Sequence, residues 1–565
     1  MAYLRVLALC WADFFNAYVI WLMMPYLTDV WKLNFIPAST IVNLWRGSIA
    51  ILPFFLMFLA DTVTGNFWML FLSSISCSTG MGLLSISTPP VLAKETGGCG
   101  SYNPHCISDE KRILFFAALG LIAFGISGLK SSLLSFIEKQ DPELDEENIT
   151  CGRALGFCFG LLSVLLIPVA AILSLSYLKQ YSFKFGLPAI LTTAATVAFM
   201  TGSCRYTREP PGGSPFTTII RVFFSATSKM FLRSPNPARL YERRGSNGAA
   251  ETDSFSLPHT PGLSCLDKAA IVLPNQNPTQ QRNNRWRRLC RVTEVEETKI
   301  IIRMIPICLS FIICGLVSSI GHTYFISQAN HLNRTDHGRH YPLLLLTFFC
   351  EYYKSEYTRT YLSCAKNSSG KLRKFGPPIG IGISMVFAIF CCVTAAKVEN
   401  QRLDLVKSHG LIDKPDEEIP MSFFKLTPQF ALLGALDGIF QASVAGFFTS
   451  QAPPSLAPYM TRLSEGIRGV GIIGNVLSVF VVGKISERGG KQRSWFQDTL
   501  NKSRLDNYYW TLTVMVSVNF VFYILMAFLF DYKDPTEVSD SEQSSDSDQS
   551  IGYEETRQEL AFQDP

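Results

Sequence analysis

Long apolar runs separated by short polar turns dominate the chain. Nearly charge-free windows recur at about 6–28, 39–60, 67–90, 113–137, 152–178, 185–203, 300–328, 341–363, 375–396, 420–452, 464–483 and 507–530. Most reach the roughly 20 residues that an α-helix needs to cross a bilayer. The pattern predicts an all-α polytopic membrane protein with twelve transmembrane helices, arranged as two six-helix bundles around a polar middle. The expected units are an N-terminal bundle over 1–204, a central loop over 205–298, a C-terminal bundle over 299–530 and a tail over 531–565. The first window runs apolar to about Val30 with no small-residue cleavage site, so it is expected to be a span rather than a cleaved leader. The eighth window, PLLLLTFFCEYYKSEYTRTYL, turns charged from Glu351 onward. It predicts a helix half against lipid and half against a lumen or the interface, whose second half projects beyond the bilayer in one arrangement.

Composition agrees with that pattern. Of 565 residues, 48% are hydrophobic and only 17% charged, with 42 Phe, too apolar for a soluble chain of this size. Most of the fifteen cysteines, among them Cys10, Cys77, Cys314, Cys391 and Cys392, sit inside apolar windows, where a free thiol acts as a small hydrophobe. Cys99 and Cys106 are the one pairable couple, if their loop faces an oxidising space. Between Arg205 and Lys299 stand fifteen Lys and Arg against eight acids. By the positive-inside rule this loop is cytoplasmic, and even numbers of crossings on either side put both termini there too. Its low apolar periodicity predicts disorder with a short helix or two. The tail SDSEQSSDSDQS reads equally as a plain solvated segment or as a target of an acidophilic protein kinase, with Ser545 and Ser547 as candidate sites. The sequon at Asn333 falls on the outer side and is a candidate for glycosylation.

Three isolated charges lie within the windows: Asp13, Lys130 and Asp437. A charge in a membrane helix is costly and marks function by default, with a partner on another helix. At 1.5 Å rise per residue, Asp13 lies about 12 Å from Arg5 and Lys130 about 12 Å from Glu138, so the two share a depth. Asp437 lies further from the inner end, within reach of a lysine side chain. Lys130 therefore has two candidate partners, Asp13 in its own half and Asp437 in the other. A pair across the halves would hold a gate shut until the acid is protonated or an anion takes the lysine. The plain alternative is that Lys130 snorkels to the inner surface. Arg46 is expected to snorkel to the outer interface, and His322 is either a proton relay or a structural histidine. No nucleophile constellation, metal spacing or phosphate loop occurs, so neither an enzyme nor a cofactor is expected, and no nucleic-acid partner.

Several stretches carry a family likeness: Leu266-Asp-Lys-Ala-Ala270, Val292-Thr-Glu-Val-Glu-Glu297 with Arg303 and Pro306, Pro428-Gln-Phe430, Trp495-Phe-Gln-Asp498, Leu500-Asn501 and Leu505-Asp-Asn-Tyr-Tyr-Trp510. In these the chain resembles the plant nitrate and peptide transporter family, part of the proton-dependent oligopeptide transporters within the major facilitator superfamily. The resemblance implies a twelve-helix fold with a midplane site between two bundles and alternating access. It also implies that Lys130, in Ser127-Gly128-Leu129-Lys130, senses anionic substrate groups and pairs with a helix-ten acid at Asp437. The chain departs from the family at the first-helix Glu-x-x-Glu motif followed by Arg or Lys, which falls on Leu9, Ala12 and Asp13. Asn66 replaces a basic residue, Gly446 a second acid, and Ser318 stands where one nitrate carrier has a histidine.

The expected function is secondary active transport of a small anionic or zwitterionic solute such as nitrate or a di- or tripeptide. Lys130, Asp437 and Ser318 would bind or gate, and Asp13 and Asp437 would couple protons. An uncoupled facilitator or exporter of another solute, or a non-transporting membrane sensor, is the alternative. Plasma membrane and vacuolar membrane both fit.

Overall fold

The computed structural model of the chain describes residues 2–88, 109–138, 140, 167–178, 180–208, 210–231, 260, 262–271, 289–336, 338–367, 371–453, 456–487 and 494–532. The Cys99 and Cys106 couple, residues 232–259 and 272–288 of the central loop, and Ser545 and Ser547 lie outside these residues.

The described chain is almost wholly helical, because in lipid only a helix or a closed barrel satisfies every backbone N–H and C=O. The first half contains α1 (Ala2–Pro25), α2 (Phe35–Leu59), α3 (Gly65–Ser87), α4 (Asp109–Glu138), α5 (Ile167–Tyr177) and α6 (Tyr181–Thr201). A short α7 (Phe216–Ser228) follows. The second half contains α8 (Val292–Leu309), α9 (Phe311–Ile320), α10 (Ile326–His331), α11 (Leu344–Asn367), α12 (Lys371–Ser408), α13 (Thr427–Gln451), α14 (Ala457–Glu487) and α15 (Leu505–Leu529). Nine stretches among the described residues are long and apolar enough to cross a membrane. One of them, 35–87, is two helices, broken at Gly65, whose φ of 73° turns the chain. The helix at the fifth window is described only from Ile167, and the charged α11 occupies the eighth.

In the first half α3 packs on α4 and α6, and α2 on α4; in the second, α13 packs on α11 and α12, α12 on α15, and α9 on α14. The largest apolar cluster runs through both halves, from Trp21 and Trp45 to Val317, Phe430 and Tyr509. The described cysteines are free thiols.

At the end of the bundle away from the N-terminus, polar contacts tie the halves. Asn34 Nδ2 donates to Asp498 Oδ1 at 3.2 Å and Asn330 Nδ2 to the Asp29 carboxylate at 3.0 Å. Asn333 belongs to a two-residue strand paired in parallel with Ile419–Ser422, and its Oδ1 accepts from the Thr335 amide at 2.8 Å. Nearby, the fully buried Arg402 forks onto Glu399 with two 2.8 Å bonds and donates to Asn501 Oδ1 at 2.9 Å. Gln328 donates to Glu399 at 2.6 Å and receives Gln429 at 3.2 Å. The Pro428-Gln-Phe430 and Leu500-Asn501 motifs thus satisfy one buried ion pair, which would be ruinous unsatisfied.

The central segment is anchored in the same way. Lys299 of α8, buried, meets Asp267 at 2.7 Å and Glu296 at 2.8 Å, while Lys229 donates to the carbonyls of Ala269 and Ile271. Burial works against the Glu296 charge, but donors from Lys299 and Thr260 hold its carboxyl below the ordinary range. Two of the sequence motifs, Leu266–Ala270 and Val292–Glu297, are therefore the two faces of one buried cluster.

Between the halves the closest approach is α2 on α14. A Cβ on Gly47 would stand 2.9 Å from the Gly469 carbonyl oxygen, and a Cβ on Gly469 2.9 Å from that of Gly47. Small residues let two membrane helices pack backbone to backbone. One helical turn and more away, Asn43 donates to Asn475 at 3.2 Å, and Asn475 in turn bonds Tyr324 and Tyr508. Gly47→Val is expected to lower the melting temperature of the purified protein in nanodiscs by several degrees, an overpacking cost of about 1–3 kcal/mol. Gly474→Ala, on the same α14 but facing open space, should leave it unchanged.

Candidate functional site

A cavity of about 510 Å³ lies between the halves. The first half contributes Asp13, Tyr18 and Trp21 from α1, Arg46 from α2 and Lys130 from α4. The second contributes His322 from the turn after α9, Glu351 and Lys354 from α11, Asp437 from α13 and Arg468 from α14. One side of the charged second half of the eighth window therefore faces the cavity: Glu351, Lys354, Ser355 and Thr358 line it, whereas Glu356 and Arg359 pair with each other outside it.

Asp437 is the best-held acid in the cavity. Its Oδ1 accepts from Arg468 Nη1 at 2.8 Å and its Oδ2 from Ser318 Oγ at 3.1 Å. Arg468 also reaches Ser318 Oγ at 3.4 Å. The expected pair between Lys130 and Asp437 is thus not formed in this conformation: a guanidinium on the neighbouring helix of the same half holds the acid in its place. Lys130 exposes its side chain to the cavity, and the first charge acting on it is that of Asp13. Of the two partners that sequence left open for Lys130, the structure brings Asp13 near. The backbone carbonyl of Lys130 accepts from Arg462 Nη2 across the halves at 2.7 Å. Beside it, the Tyr459 hydroxyl donates to the Asp61 carboxylate, also across the halves.

Arg46 does not snorkel outward. Eleven residues from the start of α2, it lies about 16 Å along the helix, at mid-depth, half-buried in the cavity wall. His322 stacks on Trp21 with ring centroids 3.3 Å apart. Glu351 and Lys354, one turn apart on α11, are 3.7 Å from each other.

Sequence reasoning passed over Arg468, which lies in the nearly charge-free window 464–483. The rule that singled out Asp13, Lys130 and Asp437 would have found it, as the one charge between Glu465 and Lys484.

The sequence profile of the POT family matches residues 67–345. The Arabidopsis thaliana protein NRT1/PTR FAMILY 5.5 is 38% identical over 529 residues, covering 92% of this chain and 95% of its own. NRT1/PTR FAMILY 3.1 of the same plant is 30% identical over 536 residues, covering 93% and 89%. Among solved structures, an auto-inhibited POT family peptide transporter superposes with a TM-score of 0.65 at 16% identity, covering 94% of this chain and 98% of that one. That likeness establishes the shared fold.

A double-mutant cycle tests the pairing. Asp437→Ala and Arg468→Ala should each destabilise the protein, and the double variant should lose less than their sum, with a coupling of about 1–3 kcal/mol. Asp437→Ala combined with Lys130→Ala should be additive to within about 0.5 kcal/mol in the same melting assay.

Proposed function

The chain belongs to the POT family, and on that premise we propose that it carries small anionic or zwitterionic solutes, nitrate or di- and tripeptides foremost, by alternating access of the two halves. It is an integral multi-pass membrane transporter of the NRT1/PTR type, and no enzyme. The observation that carries the solute reading is the cavity between the halves, whose polar lining consists largely of opposed charges.

In this reading Lys130, which faces the cavity, attracts the negative group of the solute into it, and Asp13 tunes that charge. An anion that occupies Lys130 or Arg468 loosens the acid opposite, and the freed carboxylate takes a proton. Asp13 and Asp437 are then the coupling groups, and Ser318 follows Asp437 as its hydrogen-bond donor. A rotation of the halves about the α2 and α14 crossing would break either the Asp29 and Asp498 contacts at one end or the Tyr459 and Arg462 contacts at the other. Both termini would be cytoplasmic in a plasma or vacuolar membrane, with Asn333 on the outer side and Ser545 and Ser547 open to a kinase.

The uncoupled alternative has two observations in its favour: no glutamate stands at the first-helix positions, and Asp437 already has its own cation. Labelled nitrate and dialanine offered to proteoliposomes decide the matter. Wild type should take up at least one of them, and Lys130→Ala should lower that uptake about 10–100-fold, the worth of one charge-assisted contact. An uptake that ignores an imposed pH gradient, unchanged in Asp13→Asn and Asp437→Asn, would establish facilitation. Binding without any flux would instead make the protein a sensor.

A further inference from the structure

The crossing of α2 and α14 does more than join the halves. Arg46 directly precedes Gly47 and Arg468 directly precedes Gly469, and those glycines are the ones in backbone contact. One arginine from each half is thereby brought to the same stretch of cavity wall. Arg46 lies in the field of Arg468 as well as in those of the acids Asp437 and Glu351. Lys130 differs, since the first charge acting on it is an acid.

Asp437 is held by Arg468 at 2.8 Å and by Ser318 at 3.1 Å, and it makes no ion-pair contact with Arg46. Among the described residues no carboxylate lies in ion-pair contact with Arg46. Buried Nη1 of Arg46 and Nε of Arg468 have no hydrogen-bond partner, and neither has Nδ1 of His322, on which Arg46 is the first charge to act. The lining as a whole holds four Lys and Arg against three acids, leaving one positive charge over. Two guanidinium groups that line one cavity, with no acid of its own for Arg46, favour an anion there.

We propose that Arg46 and Arg468 form a clamp for one planar, monovalent oxyanion, a carboxylate or nitrate, held between the two halves with His322 beside it. The inference rests on the reading of the cavity as a solute site and names the group that the solute must carry. A guanidinium fork matches such an anion with two parallel hydrogen bonds, which an ammonium cannot do. The cavity, about 510 Å³, falls in the range of roughly 300–1,000 Å³ that suits small organic ligands. Phe14, Tyr18, Trp21, Phe348 and Tyr352 supply flat apolar walls for the body of a carboxylate. Because the clamp takes one fork from each half, a bound anion neutralises repulsion at the crossing and draws the halves together there.

The test uses the full chain in nanodiscs, with nitrate, benzoate and the neutral benzamide as probes, read by tryptophan fluorescence and by thermal shift. Wild type should bind nitrate or benzoate, and benzamide at least about tenfold more weakly than benzoate. Arg46→Gln and Arg468→Gln should each weaken the anion about 10–100-fold, and Arg46→Lys should recover only part of that loss. The unliganded melting temperature of Arg46→Gln reports whether its fold is intact, and Arg46→Lys, which keeps the charge, serves where it is not. Wild-type affinity in Arg46→Gln, full recovery in Arg46→Lys, equal binding of benzamide and benzoate, or no anion binding by wild type would each overturn the clamp. Flux of the same labelled anions separates the two readings. Anion binding that needs Arg46 but yields no flux sinks transport and keeps the clamp, whereas flux and affinity that ignore Arg46→Gln keep transport and sink the clamp.

Discussion

Arg468 and Asp437 meet at 2.8 Å on two helices of the same half, and what that pair leaves unsatisfied shapes the rest of the cavity. A charge withdrawn from water must find an opposite charge or a dense set of hydrogen bonds. Asp437 has both, from Arg468 and Ser318. Lys130 has Asp13 in its field, and Glu351 has Lys354 one turn away. Arg46 is left over beside Arg468. An interior balanced to within one positive charge suits a solute that brings one negative charge and moves with it.

The same requirement, met completely rather than partly, holds the ends together. The Arg402 and Glu399 pair is enclosed by Gln328, Gln429 and Asn501, and Lys299 is enclosed by Asp267 and Glu296. These networks are filled largely by the protein itself and stand outside the cavity between the halves. Those at mid-depth are incomplete and face one. That contrast separates structural charge from charge available to a solute.

Much of the fold was legible in the sequence, since a span needs an unbroken apolar run and such runs stand out. The motifs that carried the family likeness were also legible, although their physical reason was not: nothing in Leu266–Ala270 says that Asp267 will meet Lys299 across some thirty residues. Within the site, position along a helix gave the matched depth of Asp13 and Lys130. It did not give azimuth, and partner choice depends on azimuth. Arg468 beats Lys130 to Asp437 because α13 and α14 are neighbours in one half, and Arg46 faces inward because Gly47 must face α14. The charges of α11 looked too dense for lipid, and two of them, Glu351 and Lys354, line the cavity.

The central claim is that an anion sits between Arg46 and Arg468 at the crossing of the halves. Cryo-electron microscopy of the protein in nanodiscs with 4-iodobenzoate tests it most directly, since iodine marks the orientation of the molecule. The account predicts carboxylate density within hydrogen-bond distance of both guanidinium groups, with the iodine among the aromatic walls. Density held by Lys130 alone, or a cavity left empty at saturating ligand, would contradict it.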